Sequence, residues 1–176
     1  MVALLLASAP ARAGALEEYF ARIATAPLAS QIDARGTFRD LSFGTACSTV
    51  PGMAPVKDVG QFRIYGRSTD KLAVGTGTLK MIRYLCVGDV FRAVFLSFPE
   101  DSLPAIATAM IGTYGVPSSD ESKRAYWRGL KRVAWLGRAE DKGDYVMTIG
   151  DLPWADPVAL ILMITAANAQ AGQTDL

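Results

Sequence analysis

The chain has 176 residues, 51% hydrophobic and 20% charged, with 18 Lys and Arg against 17 Asp and Glu. This describes one globular domain that can fold without a metal or dense disulfides, and a balance of charge that does not draw it globally to nucleic acid. It contains no histidine, which removes Ser-His and Cys-His catalysis, His-rich zinc sites and a proximal-His haem. Two cysteines cannot form a four-cysteine site, so no cofactor is expected. What remains is Lys-, Tyr- or carboxylate-based chemistry, or plain binding.

The apolar run Val2–Ser8 leads into two overlapping A-x-A sites, Ala11-Arg12-Ala13 and Ala13-Gly14-Ala15. That is the shape of a signal peptide over residues 1–13, too short to span a bilayer. No Lys or Arg precedes the run, which leaves a start further upstream or a buried N-terminal helix as alternatives. The expected location is periplasmic or secreted. There Cys47 and Cys86 are expected to pair, closing a loop of about 40 residues worth about 4 kcal/mol in the chain-entropy model, with two buried free thiols as the alternative.

A single domain is expected over residues 14–176, with a core at about 37–151. Leu16, Tyr19, Phe20 and Ile23 predict a first helix that Pro27 stops. Thr37–Phe43 reads as a strand, and Gly44–Val59, broken by Pro51-Gly52 and Pro55, as a helical turn and a loop. Gln61–Tyr65 and Lys71–Val74 are short extended pieces. Leu79–Val87 and Val90–Phe98 flank Gly88-Asp89, a hairpin read with a type II′ turn. Leu103, Ile106, Ala107, Met110, Ile111 and Tyr114 line one face of a helix over 103–114, capped by Ser102 and ended by Gly115 and Pro117. Arg124–Arg128, Arg132–Gly137 and Tyr145–Ile149 complete the strands. The last element is a helix over 157–170 with Asp156 at its cap and Val158–Ile164 apolar all round. The fold class is therefore α+β: a mainly antiparallel sheet of about five to seven strands with one long helix, plus N- and C-terminal helices.

The runs Phe38-Arg-Asp-Leu-Ser-Phe43-Gly44 and Val50-Pro51-Gly52-Met53 resemble the opening of small, uncharacterised exported α+β domains of proteobacteria. Their later signature is matched in order by Tyr65, Asp70-Lys71-Leu72, Gly75, Leu79, Ile82, Tyr84, Phe91, Val94, Phe98, Tyr114-Gly115-Val116-Pro117 and Tyr126-Trp127-Arg128-Gly129. The resemblance covers about residues 37–151 and implies an antiparallel sheet carrying one long helix. It brings no activity and no catalytic motif, and it does not cover the helix 157–170.

Several segments invite chemistry. Ser68-Thr69-Asp70-Lys71 matches S-x-x-K but lacks the companion S-D-N and K-T-G motifs and sits in a polar turn. Gly75-Thr76-Gly77-Thr78-Leu79-Lys80 lacks phosphate-loop spacing and reads as a turn entering a strand. Asp151 and Asp156 around Trp154 could flank a sugar, though Asp156 is also a helix cap. The strongest binding element is Lys123–Arg138. A three-residue loop, Gly129-Leu130-Lys131, is expected to place Trp127, Val133 and Trp135 on a buried face. Arg124, Tyr126, Arg128, Arg132 and Arg138 then form a basic-aromatic face suited to a polyanion, or simply a solvated edge. The expected function is a non-catalytic periplasmic binding or envelope-interaction domain, with a carboxylate- or Ser-Lys-based hydrolase as the alternative. Its partner is an unknown envelope protein or polyanionic ligand. Nucleic acid and a transmembrane segment are not expected. The helix 157–170 should pack on the N-terminal helix, with a homodimer interface as its other use.

Overall fold

A computed structural model describes residues 31–59, 61–119, 124–139 and 144–155 of the chain. The signal peptide, the first helix, Lys123, Asp156 and the helix 157–170 lie outside the described residues. The elements run β1 (Thr37–Phe38), β2 (Leu41–Ser42), a 3-10 turn (Cys47–Thr49), β3 (Met53–Val59), β4 (Phe62–Arg67), β5 (Ala73–Val74), β6 (Gly77–Thr78), β7 (Met81–Val87) and β8 (Val90–Phe98). After a 3-10 turn (Glu100–Ser102) come α1 (Leu103–Tyr114), β9 (Ser118–Ser119), β10 (Ala125–Arg128), β11 (Arg132–Arg138) and β12 (Tyr145–Asp151). The main sheet is eight-stranded, in the order β3-β4-β7-β8-β12-β11-β10-β9, and every pairing in it is antiparallel. With one long helix it is an α+β fold, and no described helix is long and apolar enough to cross a membrane.

Both faces of the sheet are covered. On one, Ile106, Met110 and Tyr114, spaced four residues apart on α1, pack with strand residues Tyr84, Val94, Leu96, Met147 and Ile149. The β1–β2 hairpin adds Phe38 and Leu41 to that cluster. On the other face Phe62, Leu85, Ala93 and Val133 form a second cluster with Ala155, flanked by Leu152 and Trp154. Thr148, buried in the sheet, donates its hydroxyl to the Ala155 carbonyl and ties this segment down. Core burial of this kind is the main source of stability, at roughly 25 cal/mol per Å² of apolar surface.

The helix has the expected bounds, ending at Gly115, whose φ of 85° suits glycine and whose N–H donates to Ile111 O at 2.8 Å. Ser102 stands at the N-cap position, but its Oγ accepts the Thr78 N–H at 3.0 Å, so it fastens β6 to the helix instead of capping its own first turn. Segment 37–43 is two short strands folded about Arg39, at φ 55°. Pro55 did not prevent β3 from forming, because β3 is an edge strand with a register shift between Pro55 and Lys57.

The β7–β8 turn is corrected from type II′ to type I′, since Gly88 and Asp89 both have positive φ, at 55° and 67°. The strain at Asp89 is offset by the 3-10 turn. The Asp89 carboxylate accepts the Ser48 N–H at 3.0 Å and the Ser48 hydroxyl at 2.6 Å, and its carbonyl accepts the Cys47 N–H at 2.7 Å. Beside this contact Cys47 and Cys86 form a disulfide, both wholly buried, with Cα atoms 6.5 Å apart.

Candidate functional site

The β10–β11 hairpin decides which basic residues can act together. Its register pairs Arg128 with Val133, Trp127 with Ala134, Tyr126 with Trp135 and Ala125 with Leu136. Gly129 N–H donates to Arg132 O at 2.8 Å, which leaves a two-residue loop, Leu130-Lys131. The expected three-residue loop is thereby overturned, and with it the expected faces. Trp127, Ala134 and Leu136 belong to the α1 side, while Tyr126 and Val133 pack in the cluster on the other side. Alternation along the strands places Arg132 and Arg138 with Trp127, and Arg124, Tyr126 and Arg128 with Trp135.

The separation of apolar from charged residues misled because it assumed one solvated face. With both faces covered, Trp127 and Trp135 are buried on opposite faces. Trp127 is 1% exposed and donates Nε1–H to Gly115 O at 2.7 Å, locking the hairpin to the end of α1. A second determinant is Asp33, nearly a hundred residues away in sequence. Its carboxylate accepts the N–H groups of Leu130, Lys131 and Arg132 at 2.6, 3.0 and 3.0 Å. Gly129 is needed to admit it, since a Cβ there would fall inside the Asp33 carboxylate.

Arg132 is consequently structural. Its Nη1 donates to Asp33 O at 2.8 Å, its Nε lies 3.3 Å from Asp151 Oδ1, and its guanidinium sits 5.5 Å from the Phe43 ring centroid. Arg92 reaches the other oxygen of Asp151 at 3.3 Å. Asp151 is thus held between two arginines and is no free carboxylate for sugar chemistry. Arg138 lies 3.9 Å from Glu100, both well exposed, a separation at which an ion pair contributes little.

What survives of the basic-aromatic face is Arg124, Tyr126 and Arg128 with Trp135, which had been expected in the core beside Trp127. The Arg124 guanidinium lies 5.7 Å from the Trp135 ring centroid, a cation–π distance. Trp135 is 7% exposed, yet its indole N–H has no hydrogen-bond acceptor among the described residues. Such a buried orphan donor costs about 1–3 kcal/mol and is uncommon in a folded chain. Tyr126 is half-buried against Trp135's strand, and Arg128 follows one step along the same face. Arg124, Tyr126 and Arg128 each have an interaction of their own as well.

The other sequence candidates resolve into architecture. Ser68-Thr69-Asp70-Lys71 is a clasp off the helix. The Asp70 carboxylate accepts the Tyr84 hydroxyl at 2.7 Å and Arg39 Nη1 at 3.3 Å, while Arg39 Nη2 donates to Lys71 O and Ala73 O at 2.6 and 3.0 Å. Burial, and then the Asp70 bond, push the Tyr84 phenol well above its usual range, so it stays protonated. Gly75-Thr76 is the turn between β5 and β6. Gly77 lets β6 touch the helix, because a Cβ there would lie 2.9 Å from Ile106 Cγ1 and 3.2 Å from Ser102 O. An open groove of about 630 Å³ lies beside this contact, lined by Gly75, Thr76, Asp101, Pro104 and Thr108 among others. Glu100 and Asp101 stand at the start of the helix and oppose an anion there. Among the described residues no group of His, Cys, Asp and Glu could hold a metal ion.

One electrostatic contact beside the clasp is testable by pH. Asp40 takes both Nη atoms of Arg67 at 2.7 Å, and this pairing pulls its carboxyl down to about 2. A carboxylate with a folded pKa below its unfolded value of about 3.9 stabilises the fold above pH ~4 and loses that contribution as pH falls towards 2. Asp40→Asn should therefore lower stability modestly at neutral pH and flatten the decline between pH 4 and 2, read by urea titration at each pH. An unchanged acid limb in Asp40→Asn would remove Asp40 from the account.

With the geometry in view, the chain was compared with known proteins, and no family model, no curated protein and no solved structure matches it.

Proposed function

We propose that the chain is a non-catalytic, exported binding domain that takes a polyanionic ligand on the Arg124–Tyr126–Arg128–Trp135 face of the β10–β11 hairpin. The observation that carries this reading is Trp135, whose buried indole N–H has no hydrogen-bond partner among the described residues and whose ring centroid lies 5.7 Å from the Arg124 guanidinium. An anionic oxygen admitted by a shift of the Arg124 side chain would satisfy that donor while meeting the flanking cations. The buried Cys47–Cys86 bridge supports a periplasmic or secreted location, since such bonds persist in oxidising compartments. The small exported domains that this chain resembles add no activity to the reading.

The test is a titration with inorganic polyphosphate at several salt concentrations. Wild-type affinity should fall with salt, and Arg124→Gln with Arg128→Gln should weaken binding at least tenfold and lower the salt slope by about 1 per cation removed. Arg138→Gln, on the opposite face, should change neither. Equal binding by all three proteins would remove the hairpin from recognition.

A further inference from the structure

The tip of the same hairpin is built to protrude. Two-residue hairpin loops usually need positive φ at one or both loop residues, and neither Leu130 nor Lys131 has it. The turn is held from outside, by the three N–H groups that the Asp33 carboxylate accepts. This fixed turn presents Leu130 with 79% of its surface in water. A second apolar side chain, Val116, is 83% exposed. It follows Gly115, whose carbonyl is bonded to Trp127 of β10. These two are the most exposed large hydrophobic residues of the described chain.

Exposed cations flank the turn. Lys131 shares it with Leu130, and Arg35 lies two residues beyond Asp33, whose carboxylate holds the turn. Among the described residues, Asp33 is committed to the turn and Asp151 to Arg92 and Arg132. We infer that this tip docks on an anionic lipid surface, with Leu130 and Val116 entering the interface and Lys131 and Arg35 among the headgroups. The inference rests on the reading above, that the hairpin's cations take an anion, and it names the source of that anion. A soluble polyanion gains nothing from an exposed leucine, whereas a lipid interface rewards both the apolar tip and the flanking positive charge. Because Asp33 already orders the turn, little conformational freedom is left to lose on docking.

Sedimentation of the full chain with vesicles separates the sources. The chain should bind phosphatidylcholine vesicles containing phosphatidylglycerol and ignore pure phosphatidylcholine. Leu130→Ser should weaken vesicle binding by about tenfold, the equivalent of one buried leucine, and Lys131→Gln by about fivefold. Leu130→Ser should leave polyphosphate binding at its wild-type level. Polyphosphate binding with no vesicle binding, or vesicle binding untouched by Leu130→Ser, overturns the lipid inference and leaves the anion-binding face standing. Binding to neither probe overturns both.

Discussion

Replacing Cys47 and Cys86 together with alanine should lower the unfolding free energy by about 4 kcal/mol. The bridge closes a sequence separation of 39 residues, and a loop of that size loses about 4 kcal/mol of closure entropy in the unfolded chain. That is a large share of a net stability of about 5–15 kcal/mol. Hydrogen bonds also hold the 3-10 turn and the residues before it to the sheet, including Cys47 N–H to Asp89 O and Gly44 N–H to Phe91 O, at 2.7 and 2.9 Å. They act only in the folded state, so they do not substitute for a constraint on the unfolded one. Urea unfolding of the oxidised protein and of the double variant measures the difference. A loss below about 1 kcal/mol would mean that the bridge adds little beyond the packing of two small buried side chains.

Asp33→Ala should cost about 3 kcal/mol. Three backbone N–H groups lose a charged acceptor, each such bond being worth about 1.5–3 kcal/mol, partly recovered by water at an exposed turn. Gly129→Ala should cost about the same by another route, since its Cβ displaces the same carboxylate. The two losses are therefore not additive. The double variant should be destabilised by roughly as much as either single one, a coupling of about 2–3 kcal/mol in a double-mutant cycle. Additive losses would mean that Gly129 is constrained by something other than Asp33.

The α+β class, the long helix with its bounds and the β7–β8 hairpin were legible because each carries a local signal: apolar spacing, a stop at Gly115-Val116-Pro117, and Gly-Asp between two β-branched runs. The disulfide followed from the number of cysteines and the expected compartment. The misread pieces depend on distant partners. Asp33 sets the β10–β11 turn across nearly a hundred residues, and no periodicity within the hairpin reveals it. Asp89 holds positive φ because Ser48 binds its carboxylate. The edge position of β3, which makes Pro55 harmless, is a property of sheet order alone. For the candidate site, residue types were readable and their grouping was not. Five residues were expected on one face, and the register leaves Arg124, Tyr126 and Arg128 there while turning Arg132 into a strut beneath Phe43. Trp135 was missed because a large aromatic at alternating spacing reads as core. Its orphan N–H is visible only in three dimensions.

The chain has three tryptophans, and their indole N–H resonances test the central claim most directly. Trp127 Nε1–H is already bonded to Gly115 O, whereas Trp135 Nε1–H has no acceptor among the described residues. In a two-dimensional 15N–1H spectrum titrated with polyphosphate, the Trp135 indole signal should move downfield and saturate with the binding curve while the Trp127 signal stays in place. A saturating titration that shifts the Trp127 signal and leaves the Trp135 signal unmoved would contradict the assignment of the binding face.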